Sequence, residues 1–312
     1  MAIKLKNISD MSREEWLKMR KIGIGGSDAA AIAGLNPWKS AFGVYLDKTS
    51  DLIRESEDNE RMRVGRDLEE YVAKRFEEAT GKKVRRNNFM LQSEDYPFMI
   101  ADLDREIVGE RALLECKTTN SYAKKEWLEG VPTHYEIQVL HYLAVTGLDK
   151  AYIACLIGNE AFVYHEIERD EETINFLIEI ERKFWEDLQN GIEPDPDGSS
   201  DYDEMLKLKF SKSIENEVPL DIDNGKIERL EELKGLKKEV ESKIKVLEQE
   251  IKKAIGENEA GFTDSFKVTW KPQTRNSIDS KRLKEELPEI AEEYTQTSTT
   301  RVLRIKEIKN ND

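Results

Sequence analysis

Residues 65–80, G-R-D-L-E-E-Y-V-A-K-R-F-E-E-A-T, repeat their apolar positions at helical spacing, with Leu68, Tyr71, Val72, Phe76 and Ala79 on one stripe. At about 100° per residue, Glu69 falls beside Val72 and Phe76 at the edge of that stripe, and Glu70 points nearly opposite it. A carboxylate on the rim of a buried face is costly unless something satisfies it, so Glu69 is a candidate site residue. Over Met99–Thr118 the period changes to two, which predicts two short strands turning near Gly109. The second strand sets Leu113, Glu115 and Lys117 on one face and Leu114 and Cys116 on the other.

The flanking segments complete an α/β pattern. Residues 12–21 read as a short helix with Ser12 as cap and Glu15 closing a capping box. Gly23, Gly25 and Gly26 then permit a tight turn, and Ser27-Asp28 suits the N-cap of an Ala-rich helix that ends at Asn36-Pro37-Trp38. Short helices are expected over 40–48 and 120–129, and a strand over 83–90. Residues 134–147 predict a helix with Ile137, Leu140, Ala144 and Val145 inward, which places Gln138 and Tyr142 on one face at i and i+4. A hairpin around Gly158-Asn159 and a helix over 170–189 close this part.

After Ile192 the run E-P-D-P-D-G-S-S-D reads as a linker. Residues 226–255 then repeat Leu230, Leu233, Val240, Ile244, Leu247 and Ile251 over roughly three to four heptads, with Lys237 interrupting the seam. Strands are expected over 262–271 and 299–308, joined through a helix near 279–287. The expected division is residues 1–195 and an accessory module, 196–312, for partner contact, assembly or DNA.

Composition narrows the class. The chain has 312 residues, 38% hydrophobic and 36% charged, without an apolar run of about 18 residues that spans a bilayer. Its N-terminus lacks an apolar signal core, so a cytoplasmic protein away from membranes is expected. Two cysteines argue against a disulfide framework, and Cys116 and Cys155 read as small buried hydrophobes. His134, His141 and His165 read as structural. A net charge of −15 counts against nucleic acid as a partner, yet a metal site that cleaves phosphodiesters is itself acidic. Basic clusters do occur, at Arg61, Arg63 and Arg66; at Lys82, Lys83, Arg85 and Arg86; and at Lys124 and Lys125.

Two stretches suggest chemistry. An Asp on one strand with Glu115 and Lys117 on the next can hold a divalent metal and steer a water beside it. A surface ion pair is the plain alternative. The Gly-rich turn into a helix N-terminus suits an anion, or is an ordinary cap. It is no Walker loop, since no G-K-[ST] follows.

Taken together, Arg20-x-x-Gly23-x-x-x-Ser27, Gly65-x-x-x-Glu69, Asp104, Glu115-x-Lys117 and Gln138-x-x-x-Tyr142 resemble the PD-(D/E)XK nucleases. The set is most similar to the YqaJ-type viral recombinases, the phage exonuclease family that includes lambda exonuclease, over roughly residues 12–190. The resemblance implies a restriction-endonuclease-like α/β core, a central mixed sheet flanked by helices, with the helical arm and small α/β module appended. It implies Mg²⁺ or Mn²⁺, two ions, held by Asp104, Glu115 and the Cys116 carbonyl, with Glu69 contributing to the second. Asp102 stands in reserve for Asp104, and Leu103 replaces the proline of the family name. Lys117 then positions or deprotonates water, Gln138 orients Lys117 or that nucleophile, and Arg20 and Ser27 hold the 5′ phosphate of a DNA end; Tyr142, Lys124 and Lys125 are further candidates. The implied activity is 5′→3′ digestion of double-stranded DNA from its ends in phage recombination, by a ring-shaped homo-oligomer, for instance a trimer, beside a single-strand annealing protein. A PD-(D/E)XK endonuclease or RecB-like nuclease is the rival within that class, and a non-catalytic DNA-end-binding scaffold the rival outside it.

Overall fold

The computed structural model describes residues 2–9, 11–50 and 60–306. Strand β1 (Ala2–Asn7), which the sequence pattern left without an element, precedes α1 (Arg13–Met19) with its Ser12–Glu15 capping box. A 3-10 turn, Arg20–Ile22, leads to α2 (Gly26–Ile32) and α3 (Ala41–Thr49). The predicted helix forms as α4 (Glu60–Thr80), burying Val72, Ala73 and Phe76, while Tyr71 and Ala79 of the expected stripe are exposed. The strands β2 (Val84–Arg86), β3 (Phe89–Ser93), β4 (Ile100–Asp102), β5 (Arg105–Ile107) and β6 (Ala112–Thr119) follow. Next come α5 (Lys124–Glu129), α6 (Thr133–Thr146), the hairpin β7 (Lys150–Ile157) and β8 (Ala161–Glu168), α7 (Glu171–Gln189) and α8 (Ser200–Lys209). The remainder holds α9 (Asn224–Ile255), β9 (Ala260–Phe262), β10 (Lys267–Thr269), α10 (Ser280–Glu286) and α11 (Pro288–Glu293).

The main sheet has the order β2-β5-β6-β7-β8. β6 pairs antiparallel with β5 and parallel with β7, and α5 and α6 supply the crossover that a parallel step requires. Leu113 and Leu114 are both fully buried. Leu113 packs in one cluster with Val139 and Leu143 of α6, and Leu114 in another with Val72 and Phe76 of α4. Helices thus cover β6 on both faces, the usual condition of a strand in a parallel pair. The first strand of the expected hairpin is split at Leu103-Asp104. β4 belongs to a second antiparallel sheet, β1-β3-β4, and only β5 pairs with β6.

Two compact units divide the chain, Met1–Lys212 and Ser213–Asp312. The first extends past the expected boundary at 195 because α8 packs Tyr202 and Met205 with Phe42, Val44 and Phe184. Asp201 fixes this join: its Oδ2 accepts from the backbone N–H of Ser40 at 2.8 Å and from the Ser40 hydroxyl at 2.7 Å. Ser40 is in turn the N-cap of α3. Asp201→Ala is therefore expected to cost about 1–3 kcal/mol, the penalty of orphaning buried donors, seen as a lower urea midpoint.

In the second unit the predicted strand over 262–271 is instead the short β9–β10 hairpin. The predicted strand over 299–308 is irregular over 299–306, and 307–308 lie outside the described residues. Alternation defines the faces a strand would have but supplies no neighbour to pair with it. Among the described residues, no helix is long and apolar enough to cross a membrane.

Candidate active site

The break between β4 and β5 creates the centre of the site. β5 pairs with β6 only as far as Leu114, so the next stretch of β6 has no strand on that side. Asp104, in the break, takes the place of one: its Oδ2 accepts from the Cys116 N–H at 2.7 Å. The N–H and C=O of a strand residue point to the same side, so the Cys116 carbonyl shares the Asp104 side.

Glu115 and Lys117 share the face of Leu113 and meet α6. Lys117 Nζ donates to Glu115 Oε1 at 2.6 Å and to Gln138 Oε1 at 3.1 Å. Gln138 Nε2 donates to the same Glu115 oxygen at 2.7 Å and to the Tyr142 hydroxyl at 3.0 Å. The i, i+4 spacing of Gln138 and Tyr142 thus becomes a hydrogen-bonded relay. The Lys117 ammonium also sits 4.7 Å from the Tyr135 ring centroid, a cation–π contact that the sequence pattern did not single out. Glu115 Oε2 is buried with no hydrogen-bond partner.

Electrostatics set this cluster apart. Burial, with the charges of Glu115 and Glu69, pushes the Asp104 carboxyl well above the ordinary range, against Lys117 and the Cys116 N–H. Burial likewise raises Glu115, with Lys117 opposing. Burial works against the Lys117 charge, but Glu115 and Asp104 outweigh it and keep the ammonium protonated. Burial and the Asp104 charge raise the Cys116 thiol well above its usual value, and burial lifts Cys155 to about 12. Neither sulfur is a nucleophile at neutral pH.

A cleft of about 200 Å³ opens beside these groups, lined by Asp102, Asp104 and Gln138 together with Trp16, Arg20 and Ser27. Gly26 makes this juxtaposition possible. A Cβ there would lie 2.6 Å from Tyr142 and 2.9 Å from Gln138, so only glycine lets α2 approach α6 so closely. The N-cap of α2 is Gly25 rather than the expected Ser27-Asp28, and Asp28 reaches back to the Gly25 N–H from the third helical position. Ser27 is thereby left to accept from Arg20 Nη2 at 2.7 Å, and the guanidinium lies 4.9 Å from the Trp16 ring.

Behind Arg20 stands a charge cluster that sequence reading missed. Asp28, 1% exposed, meets Lys48 at 2.7 Å, Lys39 at 3.0 Å and Arg20 at 3.3 Å. Burial opposes its ionisation, but Lys39, Lys48 and Arg20 together hold its carboxyl well below the usual range. Lys39 also faces Asp47 at 2.9 Å. Burial lowers Lys39, but its two carboxylates outweigh that and raise the ammonium; for Lys48, with Asp28 alone, burial wins and lowers it. The only signal in the sequence was an Asp beside a Gly-rich turn.

The structure treats the other predicted residues differently. Asp102 accepts from Trp16 Nε1 at 2.9 Å, while its neighbour Asp104 turns to β6. Glu69, expected to ligate an ion, is bound by Arg105, which also reaches Glu70 at 3.0 Å and the Asp104 carbonyl. Arg105 is 2% exposed. It occupies a buried parity position between Leu103 and Ile107, where a charged residue signals a partner. Lys124 and Lys125 lie apart on α5, paired with Glu160 and Glu129. The cluster at 82–86 is neutralised by Glu110, Glu77, Glu106 and Glu70. His141 is structural, facing Glu181 at 2.8 Å and the Ile100 carbonyl at 2.9 Å.

The donor set fits a hard divalent cation, since every available donor is oxygen. An orphaned Glu115 oxygen and two carboxyls pushed upward mark a place short of positive charge. Among the described residues, no three His, Cys, Asp or Glu side chains form a closed ligand group. Mg²⁺ is ordinarily held by one or two carboxylates completed by water and phosphate, and Asp104 with Glu115 makes such a pair.

The YqaJ-like viral recombinase domain family matches residues 15–149. A protein of Bacillus subtilis (strain 168), named uncharacterized protein YqaJ, is 43% identical over 307 residues, covering 96% of both chains. Among solved structures, LHK-Exo in complex with dAMP is 20% identical with a TM-score of 0.51, covering 64% of this chain and 98% of its own. The alkaline exonuclease LHK-Exo from Laribacter hongkongensis is 18% identical with a TM-score of 0.47, covering 64% and 97%. The likeness to the dAMP complex is one of fold, and it bears out the expected PD-(D/E)XK-type α/β core with its central mixed sheet.

Proposed function

Because this chain belongs to the YqaJ-like viral recombinase family, we propose that it digests double-stranded DNA 5′→3′ from 5′-phosphorylated ends by metal-dependent phosphodiester hydrolysis. Family and fold together indicate a lambda-exonuclease-like deoxyribonuclease, and hence DNA as the substrate. The observation that carries the finer reading is the hydrogen-bonded group Lys117, Glu115 and Gln138, of which Gln138 lines one cleft together with Asp104, Arg20 and Ser27.

Asp104, Glu115 and the Cys116 carbonyl would hold the cation, with Glu69 joining if Arg105 releases it. A bound ion, or a pair, would supply Lewis acidity at the scissile phosphate and lower the pKa of water. Lys117 positions the attacking water, since its ammonium is kept charged by the neighbouring carboxylates. Gln138 fixes the orientation of Lys117 through its carbonyl and of Glu115 through its amide. Arg20 and Ser27 bind the terminal phosphate, and the guanidinium is aimed by Trp16 and Asp28. A ring-shaped oligomer and a single-strand annealing partner rest on the family resemblance alone.

The deciding experiment is digestion with Mg²⁺ of linear duplexes labelled separately at each end, carrying 5′-phosphate or 5′-hydroxyl, beside a closed circle. Release from the 5′-phosphorylated strand, with the circle intact, supports the reading. Cutting of the circle favours an endonuclease, and end binding without digestion a scaffold. Arg20→Ala is expected to erase the preference for phosphorylated ends, a loss of about 10- to 100-fold for a charge-assisted contact. An unchanged ratio of rates on the two ends returns Arg20 to a structural role.

A further inference from the structure

Arg105 is a buried cation that the proposed chemistry leaves without a role of its own. It lies on β5, 2% exposed, and its guanidinium divides its donors among three acceptors. Nη1 donates to the Glu69 carboxylate and, at 2.6 Å, to the Asp104 carbonyl; Nη2 donates to Glu70 at 3.0 Å. A buried charge is kept only where such partners surround it, so the arginine is fixed. Glu69 is freer, with its side chain 28% exposed, and its charge acts on both Asp104 and Glu115. It therefore serves two places for a cation: the guanidinium that holds it and the carboxylate pair it acts upon.

We propose that Arg105 gates the second metal ion: while it holds Glu69, the protein takes one divalent ion at Asp104 and Glu115 and binds a second only weakly. The gate rests on the nuclease reading above and adds to it a regulator of the same site. Two effects act together. A Glu69 oxygen that accepts from a guanidinium has a lone pair engaged, which makes it a poorer ligand. The guanidinium charge also repels a further cation, and burial leaves that repulsion poorly screened.

Glu70 makes the gate reversible. When Glu69 leaves, the guanidinium keeps Glu70 and the Asp104 carbonyl, so release does not strand a buried charge. An ion pair that merely ties α4 to β5 is the alternative, and it predicts the opposite sign. In that case loss of Arg105 takes support from Asp104, and metal binding weakens.

The test uses the full chain without DNA, titrated with Mn²⁺ while the free ion is read by electron paramagnetic resonance. The parent is expected to bind one ion, and a weaker second at higher Mn²⁺. Arg105→Met is expected to tighten the second ion about 10-fold, the scale on which outer partners of metal ligands act. Adding Glu69→Gln to that chain is expected to abolish the gain. Glu70→Gln, at a side chain 71% exposed, is expected to weaken the second ion and spare the first, because Arg105 then has Glu69 as its remaining carboxylate. Asp67→Asn, also exposed on α4 and paired with Arg63 at 3.8 Å, controls for lost charge alone and is expected to change neither. Circular dichroism reports whether Arg105→Met folds; if it does not, the two surface variants decide. A second ion unchanged or weakened in folded Arg105→Met overturns the gate, as do two equally tight ions in the parent or equal effects of Glu70→Gln and Asp67→Asn. No bound ion in any chain overturns the metal-dependent reading itself, whereas a single ion in every chain overturns the gate alone.

Discussion

Lys117→Ala is expected to reduce DNA cleavage by about 10²- to 10⁴-fold, the range for losing a positioned charge or proton-handling group. Binding of a phosphorylated duplex end is expected to persist, because Arg20 and Ser27 hold one another without help from Lys117. Gln138 still bridges Glu115 and Tyr142 in the variant, so the wall of the cleft stays in place. Single-turnover digestion of an end-labelled duplex reads the first effect and fluorescence anisotropy with the same duplex the second. Cleavage at the parent rate would remove the lysine from the chemistry. Loss of binding together with cleavage would make it a substrate contact instead.

Asp28→Asn is expected to destabilise the first unit by about 3–5 kcal/mol, the usual penalty for breaking a buried ion pair from one side. The amide leaves Arg20, Lys39 and Lys48 crowded around a neutral group, with only Asp47 remaining for Lys39. The effect depends on pH in a defined direction. Asp28 titrates lower in the folded than in the unfolded chain. Its stabilisation is complete above the unfolded value of about 3.9 and fades as pH falls through the folded one. The gap in Tm between parent and variant is therefore wide at pH 7 and narrows below about pH 4. A gap that stays constant across that range would mean that Asp28 acts by shape rather than charge. Since Asp28 also aims Arg20, a variant kept folded at low temperature is expected to discriminate less between phosphorylated and hydroxyl ends.

Periodicity carried most of the first unit. The α4 stripe, the Leu113/Leu114 split and the Gln138–Tyr142 face all follow from repeats of 3.6 or two, because a residue's neighbours on its own element are fixed by that element's geometry. The capping box at Ser12 and Glu15 is of the same local kind. What escaped was made between elements. Arg105 meets Glu69 and Glu70 across 36 and 35 residues, and Asp201 reaches Ser40 across 161. Trp16 and Asp102 are 86 apart. None of these distances leaves a periodic trace, and residues 200–209 fall beyond the expected boundary at 195 because the tie of α8 to α3 is such a contact.

The amino-acid order alone determined most helices and strands of the first unit, β1, α8 and the β4–β5 break excepted, together with the family and its fold, and it put forward the candidates Arg20, Ser27, Glu69, Asp104, Glu115, Lys117 and Gln138. Those are local patterns, written in one dimension. Which carboxylate faces β6, which turns to Trp16, and which is claimed by Arg105 was decided only when β4 parted from β5 and α2 closed on α6. Burial made the choice: each charge removed from water had to take the partner that the tertiary fold put within reach, and in the cleft Glu115 kept one oxygen without a partner.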